Sequence, residues 1–251
     1  MSRVLKNGTL GVMNIQTLKG FRDFLPKEAK KRQYVINTLK GVFESYGFEP
    51  LETPALEYEE ILLGKYGEDG DKMMYRFEDN GGRKVALRYD QTVPLARVVA
   101  QYGNKLPTPF KRYQIQPVWR AENTQKGRFR EFLQCDIDTV SIKSQFADAE
   151  IIACTIKSLE SLGFKDFKVL INDRSLFSGM SPADIRIIDK LKKVGKELVL
   201  KELSDKSLLE KIESAKPTSD LETIFKALEQ MGIPQEKWEF SPTLARGLDY
   251  Y

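Results

Sequence analysis

The chain has 251 residues, 40 of them basic and 36 acidic, for a net charge of +4. That suits a soluble globular protein of one large or two modest domains, and it neither demands nor excludes a nucleic-acid partner. Histidine is absent and the two cysteines, Cys135 and Cys154, stand far apart, so an ordinary zinc site and a Ser-His-Asp or Cys-His pair are excluded, and no disulfide framework is expected.

In chain order, residues 1–12 are polar and lack an apolar core, so they read as an extension and not as a secretory signal. Pro26 opens a helix in which Val35, Leu39, Val42, Phe43 and Tyr46 recur at helical spacing, and Gly47 ends it. "FEPLETPALEYEEIL" carries two prolines and reads as an extended segment at an edge or crossover. "KMMYRFEDNGGRKVALRYD" is a hairpin with an Asp-Asn-Gly-Gly turn. "QTVPLARVVAQYG" is helical after Pro94 and stops at Gly103. "FKRYQIQPVWRAE" and "RFREFLQCDIDTVS" are strands joined by the polar loop "NTQKG". "FADAEIIACTIKSLESLGF" is a helix ended by Gly163, and "FKVLIND" is a strand.

From Ser181 the texture changes. "SPADIRIIDKL" has a Ser N-cap, a Pro at the first helical position and an Asp two residues further on. A lysine- and glutamate-rich stretch follows, and residues 176–234 read as a helical insertion module. Strand character returns at "KWEFSPTLARGLDYY". Strands joined mostly by hairpins, with helices grouped around them, predict an antiparallel sheet of α+β type. No run of about 18 apolar residues appears, so no membrane span is expected. Two cysteines without a framework make a cytoplasmic setting the expectation.

Several strands carry polar faces. Period two in "EFLQCDIDTV" sets Leu133, Cys135 and Ile137 toward a core and Phe132, Gln134, Asp136 and Asp138 to the other side. In "ALRYDQT", Arg88, Asp90 and Thr92 share a face, and in "QPVWRAE" Gln116, Val118 and Arg120 share one, with Trp119 opposite. A solvated sheet face is the plain alternative. Yet solvated faces favour Lys and Glu, whereas Arg, Asp, Gln and Thr are shorter or more rigid and suit directed hydrogen bonds. Carboxylates fit an ammonium or imidazole, arginines fit phosphate, and Phe132 offers a face to a flat ring. Together they describe a pocket for a small cation beside an anion. Arg246, within "LARGLDYY", adds a cation on a segment of buried-strand character. The basic stretches "GNKLPTPFKRYQ", "NTQKGRFR" and 190–206 are read as solvated surface.

Motif for motif, the chain resembles the catalytic domain of histidyl-tRNA synthetases, which are class II aminoacyl-tRNA synthetases. "LKGFRDFLP" resembles the family's N-terminal signature, and "YGFEPLETPALE" resembles motif 1, the dimer-interface segment, with Pro54 as its marker. The stretch from Lys65 to Arg97 resembles the lining of the amino-acid pocket, "PVWRAENTQKGRFREFLQCDID" motif 2, and "LARGLDYY" the first histidine-specific motif. The likeness runs from Met13 to Tyr251.

The resemblance implies a class II core at 13–175 with motifs 1 and 2, the helical insertion at 176–234, and a return strand at 235–251. It implies ATP-dependent activation of histidine and transfer to tRNA-His, with ATP as substrate, Mg2+ as cofactor and a homodimer formed through motif 1. Arg120 is similar to the arginine that holds the α-phosphate, Glu122 to the residue beside adenine, Phe132 to the ring stacked on it, and Arg128 to the arginine reaching the outer phosphates. Asp90, Thr92, Gln134, Asp138 and Tyr251 match positions that grip histidine, and Arg246 matches an arginine acting at the α-phosphate during activation. The catalytic pair implied is therefore Arg246 and Arg120, with no protein metal ligand.

Gln91 stands where the family's pattern has a leucine, and Thr124 replaces a loop proline; neither is expected to touch substrate. The family continues into motif 3, with its own ATP-binding arginine, and an anticodon-binding domain. The resemblance therefore implies weak or absent activity for these 251 residues by themselves. The rival reading keeps the fold and changes the role. Regulatory subunits of ATP phosphoribosyltransferase resemble this core, sense histidine and do not aminoacylate. They tend to lose the arginines that stand here at 120, 128 and 246, which favours the synthetase.

Overall fold

The computed structural model describes residues 15–245. The expectations placed on residues 1–12, on Arg246 and on Tyr251 lie outside the described residues.

Helix α1 spans Pro26–Ser45, with proline in its first turn where a missing N–H costs nothing, and Gly47 leaves it at φ 77°. Its buried Val42 and Phe43 meet Phe48, Tyr113 and Cys154 in one core. The Tyr113 hydroxyl donates to Glu44 at 2.8 Å. Burial and that carboxylate push it up to about 12. Strand β1 (Glu49–Pro50) sits at a sheet edge, as its proline requires.

Strands β2 (Leu56–Tyr58), β3 (Arg76–Glu78) and β4 (Lys84–Leu87) form one sheet in the order β2-β4-β3. Short helices α2 (Glu59–Leu62) and α3 (Gly67–Lys72) lie between β2 and β3. The β3–β4 hairpin closes as its turn residues predict: Asp79 Oδ1 accepts from the N–H groups of Gly81 and Arg83 at 2.9 and 3.0 Å, and Gly82 takes φ 76°. Helix α4 runs from Thr92 to Tyr102, starting two residues before Pro94. Asp90 explains the early start. Its Oδ1 accepts from the N–H groups of Thr92 and Val93, two of the donors a helix start leaves open.

Strands β5 (Phe110–Trp119) and β6 (Glu131–Val140) pair antiparallel along their whole length, from Phe110↔Val140 to Trp119↔Glu131, and β1 joins β5 in parallel. Helix α5 (Gln145–Ser161) packs beside α1, and Gly163 leaves it at φ 90°. Strand β7 (Val169–Ile171) pairs in parallel with β8 (Trp238–Phe240). Parallel neighbours need a crossover. Here it is made by α6 (Pro182–Asp189), α7 (Leu191–Val194), α8 (Lys196–Glu202), α9 (Ser207–Glu213) and α10 (Ser219–Gln230). The α+β class holds. The expected antiparallel pairing holds for β2-β4-β3 and β5-β6, while β1-β5 and β7-β8 run parallel.

The helices after Ser181 divide between two cores. Ile188, Val199, Leu203, Leu209 and Ile212 gather with Phe177 and Ala245. Helix α10 instead turns Leu221, Ile224, Ala227 and Leu228 onto Ala149, Ala153 and Ile156 of α5 and onto Trp238. Leu228 is fully buried there, so Leu228→Ala is expected to lower stability by about 2–5 kcal/mol in urea unfolding. Exposed Lys226→Ala, two residues away, should stay within about 0.5 kcal/mol.

Candidate active site

The β5–β6 register brings the polar faces together. Arg112 lies opposite Asp138, Gln114 opposite Asp136, Gln116 opposite Gln134, and Val118 opposite Phe132. This is no solvated face, because Arg112 and Gln114 are fully buried. Arg112 Nη2 pairs with Asp138 Oδ2 at 2.7 Å. Gln114 Nε2 donates to Thr53 Oγ1 and to Gln116 Oε1 at 2.8 and 2.6 Å. Gln134 Nε2 donates to Asp136 Oδ2 at 2.7 Å.

Asp90 reaches the same place from the turn before α4. It is buried, and its Oδ1 accepts from the Tyr66 hydroxyl at 2.8 Å. Its charge bears on both Asp136 and Asp138. Three carboxylates thus face one another around the guanidinium of Arg112, which leaves room for a ligand cation.

Burial pushes the carboxyls of Asp136 and Asp138 above their ordinary range; for both, Arg112 pulls the other way and Asp90 adds to the rise. A carboxyl raised on folding holds its proton better in the folded chain, so stability falls as pH rises through the folded value. Asp136→Asn is therefore expected to raise the thermal midpoint at neutral pH. The gain should vanish below the ordinary carboxylate range of about pH 4. Melts across that window check it, and a lower midpoint at neutral pH would refute it.

Beyond Phe132 the face changes sign. A cavity of about 530 Å³ is lined by Arg22, Arg120, Glu122, Gly127, Arg128, Phe129 and Phe132, a size that suits a small-molecule ligand. Arg120 donates from Nε to the Tyr89 carbonyl at 3.1 Å. Its guanidinium carbon lies 4.5 Å from the Tyr89 ring centre and 5.2 Å from that of Phe132. Arg128 meets Glu122 at 3.3 Å and is otherwise largely exposed.

The N-terminal segment forms one wall. Gly20 O accepts from Arg130 N at 2.8 Å. A Cβ at Gly20 would come within 2.7 Å of Arg130 Cγ and 2.9 Å of Thr124 Cγ2, and its φ is +89°, so only glycine fits. Two residues on, the Arg22 guanidinium lies 3.2 Å over the Phe129 ring.

The structure thus gathers Asp90, Gln134 and Asp138 in one acidic pocket, with Thr92 at its rim, and Arg120, Glu122, Arg128 and Phe132 in the adjoining cavity. Two strand assignments need correction. Strand β4 ends at Leu87, so Arg88, Asp90 and Thr92 share no strand face. Cys135 is exposed, because β6 is the outer strand of its described sheet and the core beneath α1 and α5 takes up Ile137 but not Cys135. The sequence reading passed over Arg112 and Gln114, although period two in β5 aligns them with Gln116. No local signal marks Tyr66 or Arg22, which arrive from remote segments. Gln91 is expected to be inert, yet its Nε2 donates to the carbonyls of Gln116 and Gln134 at 3.0 and 3.2 Å, holding the β5–β6 ribbon to the start of α4.

An antiparallel β5–β6 ribbon with an acidic pocket and an arginine-lined cavity side by side defines the core of a class II aminoacyl-tRNA synthetase. The model of the family described as histidyl-tRNA synthetase matches residues 20–183. A histidine–tRNA ligase of Gloeobacter violaceus is 41% identical over 94% of the chain, and the chain spans 64% of that relative's length. The crystal structure of histidyl-tRNA synthetase from Nostoc sp. superposes with a TM-score of 0.83 at 31% identity, covering 95% of this chain and 63% of that one. A Bacillus halodurans structure, described as an ATP phosphoribosyltransferase regulatory subunit/histidyl-tRNA synthetase, shares the fold, with a TM-score of 0.77 at 24% identity over 96% of this chain and 70% of its own. The chain belongs to the histidyl-tRNA synthetase family, and it spans just under two thirds of the Gloeobacter relative.

Proposed function

We propose that this chain carries the activating site of a histidine–tRNA ligase. Histidine's carboxylate attacks the α-phosphorus of ATP, pyrophosphate leaves, and the activated histidine passes to tRNA-His. The observation that carries the reading is the change of sign along one face of β6, from Asp138, Asp136 and Gln134 to Phe132 beneath Arg120. A donor-rich cation fits the first part and a stacked base with its phosphates fits the second.

In this reading Asp90, Thr92, Gln134 and Asp138 hold histidine, with Tyr251 beside them. Phe132 and Glu122 hold adenine, Arg120 the α-phosphate and Arg128 the outer phosphates. Arg246 adds charge at the reacting phosphorus. The protein contributes position and positive charge, and neither a nucleophile nor a proton shuttle is needed, which accords with a chain that has no histidine. Among the described residues no group of three or more His, Cys, Asp or Glu is placed to hold a metal ion. Mg2+ in this reading enters on the ATP phosphates, as that ion commonly does. The reading also includes a homodimer through the segment around Pro54, supported by the exposed side chains of Leu56 and Tyr58, and a cytoplasmic setting. Among the described residues no helix is long and apolar enough to cross a membrane. The 176–234 module and the 235–251 return strand keep their proposed places in this core.

Calorimetry with L-histidine and with ATP, followed by histidine-dependent ATP–pyrophosphate exchange, tests the reading. Both ligands are expected to bind, and any exchange should depend strictly on histidine. A chain that binds neither ligand refutes the proposal. A chain that binds histidine but not ATP, and that captures a phosphoribosyltransferase catalytic subunit, replaces it with the regulatory role.

A further inference from the structure

The amide of Gln134 has two chemically different ends, and they are treated differently. Its Nε2 donates to Asp136 Oδ2 at 2.7 Å, two residues along the same face of β6. Its Oε1 is buried and has no hydrogen-bond partner among the described residues. Such an orphaned acceptor is rare and costly, and calls for a donor that the ligand brings. An ionised carboxylate only accepts, so Asp136 can face the amide's NH2 end and not its oxygen. A flipped amide would set oxygen against oxygen.

The neighbours repeat the pattern. Gln91 commits Nε2 to two carbonyls, and Asp90 commits Oδ1 to the Tyr66 hydroxyl. Gln91 Oε1 and Asp90 Oδ2 are buried and likewise lack a partner among the described residues. Three acceptor oxygens are thus held ready beside an acidic face.

We propose that Asp136 is a positioning residue for the amino-acid substrate, holding the Gln134 amide so that its Oε1 accepts from a cationic N–H group of the ligand. This rests on the histidine reading above. The groups facing Asp136 are Gln134 and Asp138 on β6, Arg112 and Gln114 on β5, and Asp90 before α4. A proton on Asp136 converts it to a donor, releases the amide to turn, and sets NH2 against the ligand's own donors. Histidine binding therefore weakens in acid through a step that depends on Asp136.

The test is calorimetric titration of L-histidine into the wild-type chain, Asp136→Ala and Asp136→Asn across pH. The Gln134 side-chain amide resonances are followed by NMR in the same samples. Asp136→Ala should bind at least about tenfold more weakly without a lower thermal midpoint. Asp136→Asn should fall between, since its amide can accept from Gln134 but can also donate to it. The Gln134 resonances should follow an acid titration in the wild type and stay flat in Asp136→Ala. Binding by Asp136→Ala within about twofold of wild type, or Gln134 resonances indifferent to pH in the wild type, overturns the proposal. Absence of histidine binding by the wild type sinks the functional reading and this proposal with it. That failure is distinct, because Asp136 alone failing leaves wild-type binding intact.

Discussion

Replacing Arg88 by methionine is expected to cost about 3–5 kcal/mol of folding stability, from the loss of at least two buried bonds by a charged donor. Arg88 is only 2% exposed. Its Nε donates to Pro117 O at 2.8 Å, and its Nη1 donates to Thr53 O at 2.7 Å and Gln116 Oε1 at 3.0 Å. The main chain of the same residue bonds Ala55 O through N–H and Trp119 N through its carbonyl. Arg88 thereby rivets the segment around Pro54 and the β2-β4-β3 sheet to β5. Burial works against its charge, while Glu57 and Glu52 favour it. A domain of ordinary stability holds about 5–15 kcal/mol, so the loss would be a large share. Arg88→Lys should recover only part, since one ammonium cannot reach as a planar fork does. Urea unfolding decides it, and a loss below about 1 kcal/mol would refute the rivet.

Arg120→Ala is expected to reduce histidine-dependent exchange by about 10²–10³-fold with little change in thermal midpoint, the scale seen when a preorganised charge-stabilising donor is removed. The Tyr89 carbonyl fixes one edge of its guanidinium, and the rings of Tyr89 and Phe132 flank it. It is therefore oriented before any phosphate arrives. Lysine cannot hold that carbonyl and present a flat fork together, so Arg120→Lys should rescue poorly. Arg128→Ala should cost less, because its side chain is 66% exposed and less firmly placed. An Arg120→Ala rate within about threefold of wild type would remove Arg120 from the reacting centre.

Much of this was legible because local rules and tertiary needs agree. Gly47 and Gly163 end helices, Asp79 to Gly82 turn a hairpin, and Ser181 caps α6 by accepting from Asp184 N at 3.1 Å. Each depends on residues a few positions apart. The acidic face of β6 was legible for the same reason, since a period of two is a property of one strand. Failures came where a segment answers to distant partners. Arg88 and Asp90 read as strand residues by alternation, but β4 ends at Leu87 and both side chains turn inward to Thr53, Pro117 and Tyr66.

By itself, then, the sequence determined the elements, the motifs and the chemical character of the β6 face, all written in short-range patterns. Only the tertiary structure decided that Arg112 would stand opposite Asp138, that Gly20 and Arg22 would close the cavity beside Arg120, and that α10 would pack on α5. Those outcomes depend on register and on contacts between segments far apart in the chain, which are fixed when buried charges and carbonyls find their partners and not by any local preference.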